Sequence, residues 1–316
     1  SAGIAALTTA QSAVLTTEQI NGLSTLQVKS LQTANLAKLS TDQVRALTTA
    51  HIEVLSTDQM AALTTTQISK LTADQVSTLT AKQLSAASAG SIAVLGTAGI
   101  ATLDAVQVRA LSNDQVKALT TSQAAALTSV ATSSMSTAQV AAMDSADLAA
   151  LSTDAVSALS AAALNALSSA QLNALTSDQI KALTSVQLAT LSTTQLVALS
   201  TAQASALTSA QTSVLTARQV AALGTADVGA LATSVTASLS SDQLNALSTA
   251  QIIALSTSQV STLTSAQVAV LTTTQIAAMQ TADVAALSTT AVQALTSSQL
   301  STLSTAQVRA LTSDQV

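Results

Sequence analysis

Residues 39–46 read LSTDQVRA, and Leu47 begins the same pattern again. The chain repeats this octad from Leu7 to Leu311 without an insertion or deletion, which gives 39 leucine positions. Four of these positions hold another residue, namely Ala87, Met135, Met143 and Met279. An unbroken register is typical of one structural unit copied end to end, as in a solenoid.

The polar residues of the octad carry the signals of a helix start. Ser40, at the cap position, is placed to accept a hydrogen bond from a free backbone N–H of the first helical turn. Gln43, at the glutamine position, is placed to accept from the N–H of the cap residue, which completes a capping box. Leu39 and Val44, at the leucine and staple positions, flank the cap as a hydrophobic staple. We therefore predict one helix of less than two turns in each octad.

The same signals recur along the chain. The cap position holds Ser or Thr in 32 of 39 octads and the glutamine position holds Gln in 27 of 40, so the capping box is the rule. The charged residues support the same helix positions, because 14 of 15 acids lie early in the predicted helices and eight of ten bases lie late, as the helix dipole favours.

Four unusual cap residues are also predicted to be acceptable caps: Gly96, Asp104, Asp144 and Gly224. Three others are not: Gln32, Ala232 and Gln280. Polar replacements at the glutamine position include Asn35, His51, Asp147, Asp227 and Asp283.

Three other geometries fit the repeat less well. In one continuous helix, eight residues advance about 80° beyond two full turns, so the apolar stripe would spread around the axis. A coiled coil requires heptads, which the chain lacks. In a β-solenoid the leucine and staple residues would point to opposite faces, although the many threonines keep this alternative open.

Composition narrows the function classes. The chain contains no aromatic residue, proline or cysteine, so its core is built from aliphatic side chains, and disulfides and thiol chemistry are excluded. Ten basic and 15 acidic residues are too few and too scattered for a nucleic-acid partner. Every octad carries Ser, Thr or Gln, so no apolar run is long enough to predict a membrane span.

No residue set predicts a catalytic, cofactor or metal site. His51, the single histidine, occupies a glutamine position, where its imidazole can serve the capping bond. Asp42, Asp58 and Asp74 recur every 16 residues and would form a ladder for Ca²⁺ if two octads made one turn, but helix-dipole complementarity explains them more simply. We therefore expect neither an enzyme nor a cofactor.

The variants LTARQVAA at 215–222 and LTTTQIAA at 271–278 resemble octapeptide arrays (LTTxQVxA) of giant repetitive bacterial surface or secreted proteins. The resemblance implies a non-enzymatic protein located outside the cell or at its surface. A helix of about seven residues is marginal alone, so we expect contacts between successive octads to stabilise the array.

The expected fold is all-α, a superhelical solenoid of about 39 very short helices, one per octad. We expect one continuous solenoid over residues 1–316, part of a longer array or polymer. The function that follows is a structural one: a filament, sheath or adhesin stalk that associates with copies of itself. The alternative is a module that binds ice, polysaccharide or another surface through a repeated Thr/Gln face.

Overall fold

The computed structural model describes residues 2–316, which form 39 short α-helices and no strand. Each octad contributes one helix of four to six residues, such as Thr41–Arg45 and Thr57–Ala62. The prediction of an all-α solenoid of very short helices is confirmed, whereas the continuous-helix, coiled-coil and β-solenoid alternatives are wrong.

The chain divides into two compact units, residues 1–166 and 167–316. The helices of the first unit are α1 Ala2–Ala5, α2 Thr9–Ala13, α3 Thr17–Asn21, α4 Thr25–Lys29, α5 Thr33–Leu36, α6 Thr41–Arg45, α7 Thr49–Glu53, α8 Thr57–Ala62, α9 Thr65–Ile68, α10 Ala73–Ser77, α11 Ala81–Ala86, α12 Ala89–Ala93, α13 Thr97–Ile100, α14 Ala105–Ala110, α15 Asn113–Lys117, α16 Thr121–Ala125, α17 Ser129–Ser134, α18 Thr137–Ala142, α19 Ser145–Ala150, α20 Thr153–Ser157 and α21 Ala161–Asn165. Those of the second are α22 Ser169–Ala174, α23 Ser177–Ala182, α24 Ser185–Ala189, α25 Thr193–Val197, α26 Thr201–Ser205, α27 Ser209–Ser213, α28 Ala217–Ala221, α29 Thr225–Ala230, α30 Thr233–Ser238, α31 Ser241–Asn245, α32 Thr249–Ala254, α33 Thr257–Val260, α34 Ser265–Val270, α35 Thr273–Ala278, α36 Thr281–Ala286, α37 Thr289–Gln293, α38 Ser297–Leu300 and α39 Thr305–Ala310. Continuity of the solenoid over residues 1–316 stays a prediction.

The helices begin where the capping boxes predict. At α6, the Ser40 hydroxyl accepts from the N–H of Gln43 at 3.2 Å, and Gln43 Oε1 accepts from the N–H of Ser40. Asp104 also caps its helix, because its carboxylate accepts from two backbone N–H groups at 2.8 Å. Asp144 does not: it makes no side-chain cap bond, so its predicted capping role is wrong. Burial raises the pKa of Asp147, three residues further on, and the charge of Asp144 adds to that rise.

Contacts between turns differ from those expected. Within each unit, close packing joins helices three apart in the chain, for example α3 with α6 and α26 with α29. Hydrogen bonds reach from the glutamine position to carbonyls 28 to 31 residues earlier, on the preceding turn, as Gln43 Nε2 shows with Ser12, Ala13 and Leu15. One turn therefore holds between three and four octads. The expectation that successive octads supply the main contacts is wrong, since the chain must complete a turn before it meets itself.

The core is built from the side chains at the leucine and staple positions. The leucine position is buried in every octad from Leu31 to Leu295 except at Ala87, and most staple residues are less exposed still. At Ala87 the missing volume leaves a small apolar void of about 10 Å³ against Leu84, Ile92 and Leu95. Helices form here without interruption, so the octad tolerates a shortened side chain at the price of imperfect packing.

The capping boxes give a direct test of helix stability. We expect Ser40→Ala, Thr48→Ala and Ser56→Ala each to lower the free energy of unfolding by about 1 kcal/mol, because each removes the acceptor for one backbone N–H. Urea unfolding followed by circular dichroism measures the change. Thr49→Ala is the matched control, since Thr49 is exposed and begins α7 without capping it. Equal values for Thr48→Ala and Thr49→Ala would contradict the capping role.

Candidate functional site: the glutamine joint

The site repeated most often in the molecule is a joint between turns, built on the glutamine position. Gln123 shows its full geometry. The N–H of Gln123 donates to Thr120 Oγ1 at 3.3 Å, and Gln123 Oε1 accepts from the N–H of Thr120 at 2.8 Å. Gln123 Nε2 then donates to the carbonyls of Ile92 and Leu95, both at 2.8 Å, on the preceding turn. We call this arrangement the glutamine joint.

The two ends of the amide bond to different partners. The oxygen accepts from the cap N–H at the helix start within the octad, and the nitrogen donates to carbonyls at and just after the end of an earlier helix. The Gln123 side chain is 2 % exposed, so these bonds form in a site from which water is largely excluded. The glutamine joint thus couples the start of one helix to the end of another about one turn earlier.

The joint recurs in both units. The glutamines whose Nε2 donates to the leucine-position carbonyl 28 residues earlier include Gln43, Gln59, Gln67, Gln75, Gln83, Gln107, Gln115, Gln123 and Gln139 in the first unit. In the second unit they include Gln195, Gln203, Gln211, Gln219, Gln243, Gln251, Gln259, Gln267, Gln275, Gln299, Gln307 and Gln315. One bonding scheme therefore holds successive turns of each unit together.

His51 reproduces the joint with an imidazole. Its Nδ1 accepts from the N–H of Thr48 at 3.2 Å, and its Nε2 lies 2.7 Å from the carbonyl oxygen of Leu23. The tautomer that carries hydrogen on Nε2 satisfies both partners. The predicted capping role of His51 is confirmed, and the ring is 4 % exposed.

Asn35 and the aspartates fill the same position differently. Asn35 Nδ2 donates to the carbonyl of Leu7 at 2.9 Å, although no side-chain cap bond forms at Gln32. Asp227 instead accepts twice, from the hydroxyl of Thr201 at 2.9 Å and from the N–H of Gly224 at 3.1 Å.

Two aspartates at the glutamine position have perturbed ionisation. Burial raises the pKa of Asp283, and the hydrogen bond from the Thr257 hydroxyl at 3.2 Å offsets part of that effect. Burial likewise raises the pKa of Asp147, where a bond from Thr121 opposes the rise and the nearby charge of Asp144 adds to it.

Sequence reasoning found the inner half of the joint and missed the outer half. It predicted the bond from the cap N–H to the glutamine oxygen, but not the bonds from the amide nitrogen to the preceding turn. It also missed that Gln32 and Gln280, which do not cap, donate to the carbonyls of Ala5 and Ile253 at 3.0 and 2.9 Å.

Two binding hypotheses lose their geometric basis. The proposed Ca²⁺ ladder of Asp42, Asp58 and Asp74 required two octads per turn, whereas a turn holds between three and four. The proposed Thr/Gln face cannot include most of the glutamines, because most side chains at the glutamine position are buried.

Among residues 2–316, no helix has the length and apolar character required to cross a membrane.

These features define an all-α solenoid repeat protein in which each octad is both a helix and a joint. A family model described as the ALTTAQ repeat matches residues 28–65, 92–129, 156–185, 220–257, 252–281 and 276–313. These matches cover more than half of the chain, which therefore belongs to the ALTTAQ repeat family. No curated protein matches the chain. The family match confirms the predicted octapeptide-repeat array.

Proposed function

We propose that the chain is a non-catalytic structural protein whose octads build an extracellular filament, sheath or adhesin stalk. The observation that carries the proposal is the recurrence of the glutamine joint in both units. Identical units connected by identical joints generate a screw that lengthens by adding copies, which suits a scaffold. The location outside the cell follows from the resemblance to repetitive bacterial surface and secreted arrays.

The partner in this proposal is a second copy of the chain, meeting it end to end or side by side. With only 8 % charged residues, the chain offers little electrostatic repulsion between copies. Binding of ice or a polysaccharide through the exposed threonines is the competing function. The two functions can be distinguished by experiment, because binding requires a ligand whereas self-assembly does not.

Cryo-electron microscopy of the purified 316-residue chain without ligand tests the proposal. We expect elongated particles of uniform width that show the short helices. Fibres many chains long would support a filament or sheath, and rods one chain long would support a stalk. Retention on ice or on an insoluble polysaccharide, under conditions in which the chain forms no elongated particle, would contradict the structural proposal and favour the binding module.

A further inference from the structure

Asp283 breaks the bonding scheme of the glutamine joint in a specific way. Its Oδ1 accepts from the Thr257 hydroxyl at 3.2 Å. The backbone N–H of Gln280 also favours the ionised carboxylate, but the buried Oδ2 forms no hydrogen bond. An ionised carboxylate is an acceptor only, so it cannot replace the donor that glutamine supplies to the preceding turn. The corresponding acceptor, 28 residues earlier, is the carbonyl of Leu255.

Asn35 shows that a side chain of this length reaches that acceptor. Asn35 Nδ2 donates at 2.9 Å to the carbonyl of Leu7, also 28 residues earlier. A protonated aspartic acid has nearly the shape of asparagine and presents an O–H where asparagine presents an N–H. The neutral form of Asp283 would therefore restore the outer half of the joint.

We propose that Asp283 is an acid-responsive joint: a proton taken from solvent onto Oδ2 makes the carboxyl group a donor to the Leu255 carbonyl and tightens α36 against the preceding turn. The unpartnered Oδ2 and the reach shown by Asn35 carry this inference. It goes beyond the proposed scaffold, because it gives one turn of the array a dependence on pH.

Few other charges lie near enough to compete. Asp283 lies on α36, which packs against α33 and α39. Helix α33 contains no titratable residue, and α39 carries Arg309, which is exposed. The following segment bonds to Leu287 through Gln315 and carries the exposed Asp314. The neighbouring helices α35 and α37 contain no titratable residue.

The direction of the pH effect follows from burial. Because burial raises the pKa of Asp283 above its unfolded value, the folded turn binds the proton more tightly than the unfolded chain does. Protonated Asp283 stabilises the fold fully below the pKa of about 3.9 that an aspartate has in the unfolded chain. This stabilisation is lost as the pH rises through the raised pKa of the folded state. Acidification therefore strengthens this joint.

Amide hydrogen exchange of the full chain at neutral and acidic pH, corrected for intrinsic exchange rates, tests the proposal. In the wild type we expect peptides around Leu255 and α36 to be about tenfold better protected from exchange at acidic pH than at neutral pH. Asp283→Asn carries a permanent donor and should show the higher protection at both pH values. Failure of Asp283→Asn to exceed the wild type at neutral pH would overturn the proposal.

Asp227→Asn is the matched control, because both oxygens of Asp227 already have partners, Thr201 and the N–H of Gly224. We expect no gain in protection at its turn. A gain equal to that of Asp283→Asn would show a general effect of removing a negative charge and would overturn the proposal. In the unmodified chain, carboxyl ¹³C titration should place Asp283 above the ordinary value of about 3.9; a titration at or below that value would also overturn it.

Discussion

Gln123→Glu is expected to lower the free energy of unfolding by about 2–4 kcal/mol at neutral pH, because it replaces a buried hydrogen-bond donor with a charged acceptor of the same shape. Gln123 Nε2 donates to the carbonyls of Ile92 and Leu95 at 2.8 Å. Glutamate of the same shape would place a carboxylate oxygen against both carbonyl oxygens. The side chain is 2 % exposed, so water cannot relieve the repulsion, and α12 and α16 carry no cation to do so.

The loss should depend on pH. Burial would raise the pKa of the introduced glutamate above its unfolded value of about 4.3, so the protonated variant regains a donor and most of its stability in acid. Stability is then lost as the pH rises through the raised folded value. Urea unfolding at pH values on both sides of this range measures the change. Gln293→Glu, at an exposed glutamine, is the matched control, and equal losses in the two variants would refute the joint.

Local structure was predictable from the sequence because its determinants lie within one octad. The cap and glutamine positions are three residues apart, and their bonds need no knowledge of the rest of the chain. The predicted boxes at Ser40 and Thr48 are therefore confirmed in detail, including the unusual one closed by His51. Residues that cannot cap, such as Ala232, were identified for the same reason.

The number of octads per turn was not predictable, because it depends on small rotations at each joint that no single octad encodes. One signal for the outer half of the joint was nevertheless present. A capping box accepts Glu or Gln, and the helix dipole favours Glu near the N-terminus. Yet the glutamine position holds Gln 27 times and Glu never. Avoidance of Glu indicates that the amide nitrogen must donate to a buried acceptor.

The aspartates at the glutamine position occur in octads whose cap residue is also unusual. This correlation is not visible when the two positions are considered separately. Asp147, Asp227 and Asp283 each follow, by three residues, a cap position without Ser or Thr. At Gly224 an added Cβ would lie 2.6 Å from Asp227 Oδ2, because the short acid folds back over the cap. In this octad the glycine makes room for the acid, so the two departures form one alternative helix start.

The neighbouring residues Ile252 and Ile253 provide a test of which helix face is buried, with identical chemistry at both sites. Ile252, at the staple position of α32, is 2 % exposed, whereas Ile253 is 43 % exposed. We expect Ile252→Ala to lower the free energy of unfolding by about 2–5 kcal/mol, because it removes buried methyl groups and leaves a cavity in the core.

Ile253→Ala should change the free energy of unfolding by less than about 0.5 kcal/mol, since the side chain lies largely in solvent. Its backbone carbonyl, which accepts from Gln280 Nε2 at 2.9 Å, is retained in the variant. Urea unfolding of both variants under one condition gives the comparison. Ile252 is buried whereas Ile253 lies largely in solvent, so the cost at Ile252 should lie well above that at Ile253. Equal costs would mean that the helix is rotated about its axis, and the packing between turns would then be wrong.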